Sequence, residues 1–221
     1  MITALLLTAI AAEFQYVQAI ECAEFKACMD QIPKGKVVAT TVFLAKIEEY
    51  AAMNKVYESY FPDLKPARNT VEVRLPKGIR MAINATLYTG PAEPKGLTPP
   101  NTTNIVPITP GILTPDRLFI AGILGRDSNS GQIPEAPQAQ IEMCLNRLTR
   151  VLATANLTPS SLLQATLYHS SAIPLNLIEK SLRDYFGHQP TIAITILEVT
   201  ALALGANIGL NGVALFLHTP V

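Results

Sequence analysis

The sequence predicts a mixed α and β fold made of two similar units in tandem. Two observations predict it: a hydrophobic pattern that occurs twice, and a segment of turn-forming residues between the copies. Residues 37–44 (VVATTVFL) match residues 162–169 (LLQATLYH) at an offset of 125 (162 minus 37). The same offset aligns residues 57–61 (YESYF) with residues 182–186 (LRDYF). Two patterns at one offset indicate an internal repeat, which decides the fold before any single element does.

The second copy is predicted to run strand, helix, strand, helix, strand, strand. Residues 117–122 form an apolar stretch that ends at glycine, which is typical of a strand. Apolar residues then recur at steps of four, three and four and predict a helix over about residues 137–155. Residues 162–169 predict the next strand, and a second helix precedes the two closing strands. The apolar faces of the two helices consist of Ile141, Leu145, Leu148 and Leu152, and of Ile178, Leu182 and Tyr185.

The first copy follows this order only from its first helix. Tyr16, Ile20, Ala23 and Ala27 repeat the steps of four, three and four and predict that helix. The counterpart of residues 117–122 would fall before residue 1, so the opening strands are predicted to be absent. Residues 90–104 are rich in Pro, Gly, Thr and Asn and predict a linker. The predicted units are therefore residues 1–89, truncated, and residues 105–221.

Composition and charge limit the classes of function. Of the 221 residues, 49% are apolar, which suffices for one or two cores. Lys plus Arg and Asp plus Glu both number 17, so no surplus charge attracts nucleic acid. The three cysteines, Cys22, Cys28 and Cys144, lack metal-ligand spacing and predict reduced, packed thiols in a reducing compartment. Cys22 and Cys28 are expected on different faces of one helix.

The first 12 residues, MITALLLTAIAA, are apolar. They carry no Lys or Arg ahead of the apolar run, which argues against a signal peptide but leaves it open. The run is also too short to span a bilayer, which takes about 20 residues. A cytoplasmic protein without membrane contact is therefore expected.

The segment at residues 65–88, KPARNTVEVRLPKGIRMAINATLY, resembles the terminal hairpin of the RidA family, also called YjgF or UK114. The resemblance extends over residues 11–88 and returns more faintly over residues 105–217. It implies an α+β fold of chorismate-mutase type, assembled as homo-oligomers with trimer-type interfaces and a cleft at each interface. It also implies hydrolysis of 2-imino and enamine acids to 2-keto acids and ammonia, without cofactor or metal.

By residue match to the family, Arg68 holds the substrate carboxylate. Guanidinium suits this role because it offers a planar fork of donors and stays charged. Asn54 and Thr70 match residues that line the family's cleft. Asn84 matches the family's water-orienting glutamate, but an amide orients water without taking its proton. The resemblance thus gives Arg68 and Asn84 as catalytic residues and Arg68, Asn54 and Thr70 as substrate-binding residues.

The second copy departs further from the family. Ile108 and Ala121 stand where the family has a tyrosine and a serine, and Thr191 and Ile192 stand near the place of its arginine. Arg68 could instead face the second copy across a composite cleft. Two hypotheses follow: a 2-imino-acid deaminase, or a non-catalytic module that binds small carboxylates or serves assembly. RNA cleavage, suggested only by an older family name, is disfavoured by the neutral charge.

Overall fold

The computed structural model describes residues 13–103, 105–187 and 192–215. Within these ranges the chain forms two β-sheets, four α-helices and three short 3-10 turns. The helices are α1 (Phe25–Met29), α2 (Tyr50–Tyr60), α3 (Pro137–Thr154) and α4 (Leu175–Phe186). The strands are β1 (Phe14–Cys22), β2 (Lys36–Leu44), β3 (Ala67–Glu72), β4 (Met81–Tyr88), β5 (Lys95–Leu97), β6 (Gly111–Leu113), β7 (Arg117–Leu124), β8 (Leu162–His169), β9 (Ala193–Glu198), β10 (Ala201–Leu202) and β11 (Ile208–Leu215).

The two sheets share a core of four strands in the same order, which confirms the predicted α+β fold with tandem units. The first sheet has the order β1-β4-β2-β3-β10 and the second β5-β6-β7-β11-β8-β9. In each, one pair is parallel, β2 with β3 and β8 with β9, and the remaining pairs are antiparallel. The strands β4, β2 and β3 of the first unit thus correspond to β11, β8 and β9 of the second.

The helices and the central strand of the second unit agree with the sequence prediction. Helix α3 begins at Pro137, the first residue of the predicted range, and β8 covers the predicted residues 162–169. The apolar faces of α3 and α4 pack against one side of the second sheet, where Ile141, Leu148 and Ile178 are fully buried. The 3.6-residue periodicity placed these side chains correctly because one helix face must bury itself on the sheet.

The first unit differs from its prediction at its start. The residues predicted as a helix form the edge strand β1 and, after it, the five-residue helix α1. Strand β1 pairs with β4 and so occupies the place that β7 holds beside β11. The periodicity predicted a helix here although two of its four apolar positions are alanines, which bury little area on packing. A strand is favoured instead because β4 would otherwise expose an unpaired edge. One opening strand is therefore present, and α1 stands where the second unit has the 18-residue α3.

The cysteine prediction also needs correction. Cys22 is the last residue of β1 and Cys28 lies in α1, so the two are not on one helix. Their Cα atoms are 5.5 Å apart and they form a disulfide, contrary to the predicted reduced thiols. Cys144 is free and buried in α3, and burial raises the pKa of its thiol to about 12.

Strand β5 lies within the segment predicted as a linker. It pairs with β6, so residues 95–97 extend the second sheet. The apolar segment at residues 1–12 falls outside the described residues. Among the residues that are described, no helix has the length and apolar character needed to cross a membrane.

The two units meet along β3. From the second unit, β10 pairs with β3 and sets Leu202 opposite Val71. Strand β7 approaches the same strand closely: a Cβ added at Gly122 would lie 2.6 Å from Asn69 Oδ1. A side chain at this position would displace the Asn69 amide from the contact between the units. The strand that carries Arg68 is therefore enclosed by the second unit.

Candidate functional site: a cleft between the units around Arg68

Arg68 is buried on β3, with 2% of its surface exposed, and faces helix α2. Its Nη2 donates hydrogen bonds to Asn54 Oδ1 at 2.7 Å and to the Tyr50 hydroxyl at 3.2 Å. The guanidinium lies 4.5 Å from the ring centre of Tyr57, a distance at which a cation is attracted to the ring face. Tyr50, Asn54 and Tyr57 lie on one face of α2 because they are four and three residues apart. The helix therefore holds the guanidinium in one orientation.

The charge of Arg68 has no counter-ion within the part of the chain that the structure describes. No carboxylate lies within 4 Å of its nitrogens, and its Nε is buried without a hydrogen-bond partner. Burial of an unpaired charge costs several kcal/mol by general estimates. An anion in the adjoining cleft would supply the missing partner.

The cleft beside Arg68 is built from both units. Its lining comprises Tyr50, Arg68, Asn69, Thr70, Thr103, Ile105, Val106, Ile108, Gly122, Leu124, Arg126, Ser128, Arg147, Ala203 and Leu204. A further polar atom on β3, Thr70 Oγ1, is buried there without a hydrogen-bond partner. Among the described residues, the lining has no Asp or Glu. The site thus offers cations and unpaired polar groups, but no carboxylate to act as a general base.

Three of the predicted site residues come together in this region. Arg68 and Thr70 line the cleft, and Asn54 holds Arg68 from behind. The composite cleft considered from the sequence is present, since Arg68 lines it together with Gly122 and Arg126 of the second unit. Ile108, at the family's tyrosine position, also lines the cleft. Ala121, at the family's serine position, lies on β7 and is buried in a hydrophobic cluster.

Asn84, which the resemblance gives as the second catalytic residue, does not join them in this structure. Its Oδ1 accepts a hydrogen bond of 2.7 Å from the backbone N–H of Ala19, at the bulge in β1. The register sets Asn84 opposite Thr41, which pairs with Asn69, so Asn84 and Arg68 lie on opposite faces of the sheet. Asn84 therefore anchors the edge strand.

The second unit carries no equivalent of Arg68 on the described part of its sheet. Ala39 pairs with Ala67 in the first unit, and its repeat partner Gln164 pairs with Ala193. The position of Arg68 is thus taken by Ile194 and not by Thr191 or Ile192, and Thr191 lies outside the described residues. An apolar isoleucine cannot hold a carboxylate, so only one clamp is built.

Sequence reasoning missed Tyr50, Tyr57 and Arg147. A signal for the tyrosines existed, because both share the helical face of Asn54. Arg147 had a signal as well: it is three residues after Cys144 and four before Val151, so it interrupts a buried face of α3. A charged residue at such a position is usually paired or functional.

The fold and the cleft define a class: a tandem pair of α+β units that presents a buried arginine to a cleft between them. A family model described as Endoribonuclease L-PSP matches residues 7–88 and 102–216. The chain belongs to this family, which is the RidA/YjgF family indicated by the motif at residues 65–88.

The curated relatives are similar over short stretches. The 2-iminobutanoate/2-iminopropanoate deaminase of Rattus norvegicus is 44% identical over 62 residues, which is 28% of this chain and 45% of the relative. The RutC family protein PH0854 of Pyrococcus horikoshii is 47% identical over 53 residues, 24% of this chain and 42% of that protein. The chain thus spans less than half the length of these relatives.

Solved structures show the fold. The conserved Rid family protein YyfA of Yersinia pestis superposes with a TM-score of 0.52 at 21% identity, over 56% of this chain and 99% of that one. A probable translation initiation inhibitor from Rhodopseudomonas palustris gives a TM-score of 0.53 at 22% identity, over 56% and 98%. Each covers about half of this chain, as expected for tandem units.

Proposed function

We propose that this protein hydrolyses small 2-imino acids to 2-keto acids and ammonia. The observation that carries the proposal is Arg68, buried in a cleft between two units with no counter-ion among the described residues. Deaminase relatives of the same family carry that activity in their names. Cytoplasmic location and homo-oligomeric association through trimer-type interfaces stay predictions.

In this proposal Arg68 binds the substrate carboxylate. Asn54 and Tyr50 take hydrogen bonds from Nη2, which fixes the guanidinium plane at the wall of the cleft, and the buried Nε has no hydrogen-bond partner. A carboxylate on a guanidinium accepts parallel hydrogen bonds that fix its orientation. The apolar Ile108, Leu124 and Leu204 line the same cleft and suit an aliphatic substrate side chain.

The chemical step needs little more than positioned water. Water adds to the imine carbon, the tetrahedral carbinolamine forms, and ammonia leaves as the C=O bond forms. Because Tyr50 accepts a hydrogen bond from Arg68, its own O–H is free to donate to the ligand or to water in the cleft. Orientation of carboxylate and water supplies the acceleration, since a base is missing from the described lining.

A second candidate is non-catalytic binding of small carboxylates. It is favoured by the same absence of Asp and Glu among the described lining residues, and by the position of Asn84 at the edge strand. In that case Arg68 would bind 2-keto acids or related anions without turnover.

The test compares the wild type with Arg68→Met and, as a matched control, Arg74→Met, an exposed arginine outside the cleft. An amino-acid oxidase generates 2-iminobutanoate continuously, and semicarbazide traps what is not hydrolysed. The deaminase is supported if the wild type and Arg74→Met lower trapping and Arg68→Met does not. If no protein lowers trapping but 2-oxobutanoate raises the melting temperature of the wild type alone, the binding candidate replaces it.

A further inference from the structure

Two more arginines line the cleft around Arg68. Arg126 follows the end of β7, and Arg147 reaches from α3 to the same place. Arg147 Nη1 donates hydrogen bonds to the backbone oxygens of Leu124 at 2.9 Å and Arg126 at 2.8 Å. These bonds fix one edge of the Arg147 guanidinium at the end of the strand.

Neither arginine is paired with a carboxylate in the described part of the chain. The nearest acid in sequence, Asp127, accepts hydrogen bonds from the backbone N–H groups of Asn129 and Ser130 and from the Ser130 hydroxyl. All three bonds go to one carboxylate oxygen, Oδ1, and the charge of Asp127 acts on Arg147 without an ion pair within 4 Å. Three cations thus line one cleft whose described residues include no acid.

The arginines form two separate positive poles. Burial lowers the pKa of Arg147; the charge of Asp127 opposes this shift, and the charges of Arg150 and Arg126 add to it. Arg68 makes none of the hydrogen bonds that hold Arg147 at the end of β7. It is held instead by α2 on the side of the first unit, with Asn69 and Gly122 at the contact between the units.

A single carboxylate on Arg68 would leave the second pole, Arg126 and Arg147, with only the charge of Asp127, which forms no ion pair with either arginine. We propose that the ligand of this cleft is a small acid with two carboxylates, one bound by Arg68 and the other by Arg126 and Arg147. The inference that this acid is an imino acid rests on the function proposed above, whereas the inference that it has two carboxylates does not. The preferred substrates would then be dicarboxylic 2-imino acids, and the products dicarboxylic 2-keto acids.

Binding to the full chain tests the proposal directly. Calorimetry would compare 2-oxoglutarate with 2-oxobutanoate, which share the 2-keto acid group and differ in the second carboxylate. A charge-assisted contact predicts binding at least about tenfold tighter for 2-oxoglutarate. Equal affinities, no binding of either acid, or equally strong competition by inorganic phosphate would overturn the proposal.

Substitutions then locate the second carboxylate. Arg126→Gln is expected to reduce the preference for 2-oxoglutarate to less than about threefold, since one of two cations is lost. Arg150→Gln removes the same charge nearby, but its side chain donates to Pro100 O and lies outside the cleft lining. This control should keep the preference. If both variants lose it equally, the effect is a diffuse field and the assignment to Arg126 and Arg147 is wrong.

The outcome separates this proposal from the deaminase itself. If 2-oxoglutarate is preferred and neither 2-iminoglutarate nor 2-iminobutanoate is hydrolysed, the dicarboxylate site is supported and the deaminase proposal is wrong. If 2-iminobutanoate is hydrolysed and no preference for 2-oxoglutarate exists, the deaminase stands and the second pole does not bind substrate. Should Arg126→Gln lower the melting temperature markedly, the wild-type comparison of the two acids still decides.

Discussion

Replacement of Arg68 by methionine is expected to stabilise the protein while it removes anion binding. Arg68 is 2% exposed and has no carboxylate partner among the described residues. Its burial therefore opposes folding, and only a bound anion would compensate. A structural arginine would give the opposite result, because its removal would break interactions that hold the fold.

The magnitude follows from the contacts of the guanidinium. The variant loses the hydrogen bonds to Asn54 and Tyr50, but Tyr50 lines the cleft and Asn54 is only half-buried, so water can replace the guanidinium at both. The thioether keeps a contact with the ring of Tyr57, since sulfur packs well against aromatic rings. Exchange of buried ionic groups for apolar ones of similar size gains about 1–4 kcal/mol in other proteins. A net gain of about 1–2 kcal/mol would raise the melting temperature by about 2–8 °C.

Thermal unfolding in the absence and presence of 2-oxobutanoate measures both effects. The ligand should raise the melting temperature of the wild type and leave that of Arg68→Met unchanged. Arg80→Met is a matched control with the opposite sign: its guanidinium pairs with Glu49 at 2.8 Å and lies over Phe25, so its loss destabilises. If Arg68→Met melts below the wild type, Arg68 stabilises the core and the site argument fails.

Three further predictions concern other parts of the first unit. Asn84→Ala should hydrolyse imines as the wild type does but lose about 1 kcal/mol of stability, because its bond to Ala19 N is broken; reduced hydrolysis would return Asn84 to the site. Reduction of the Cys22–Cys28 disulfide, which closes a loop with a sequence separation of 6, should cost about 2 kcal/mol, whereas a double serine variant should not respond to reductant. Burial raises the pKa of Tyr57 to about 12. The unfolded chain therefore loses this proton first, so Tyr57 should lower stability by roughly 3 kcal/mol between pH 10 and 12, and the fall over that range should be smaller by this amount in Tyr57→Phe.

Elements of the second unit could be predicted because their local patterns agree with the tertiary fold. In α3 the apolar steps of four, three and four coincide with the face that the sheet covers. In β8 the apolar run has the length of a strand and repeats at residues 37–44. Where local periodicity and packing select the same conformation, the sequence alone suffices.

The start of the first unit could not be predicted for the converse reason. Residues 14–22 have a weak helical pattern, but the open edge of β4 offers hydrogen bonds that a strand satisfies. That edge is a tertiary feature, invisible to local periodicity. The disulfide was missed as a consequence, because a helix separates Cys22 from Cys28 whereas the strand and the short α1 bring them together.

The site itself was predictable in part. The motif around Arg68 identified the clamp from one copy, but the opposing wall depends on how the units pack. Asn84 was misplaced because the motif gives the order of residues and not the face of the sheet on which each lies. Register decides that face, and Arg68 and Asn84 differ in it.

The tandem arrangement is consistent with a single cleft that takes its one arginine clamp, Arg68, from the first unit. In a ring of identical units each cleft would take its arginine from one unit and its wall from the next. Here the first unit supplies Arg68, and the second supplies β7 with Arg126 and Arg147 as the wall. The second unit therefore has no need of an arginine at Ile194, and the first has no need of the long helix that carries Arg147. The divergence of the copies thus matches a division of one site into two complementary halves.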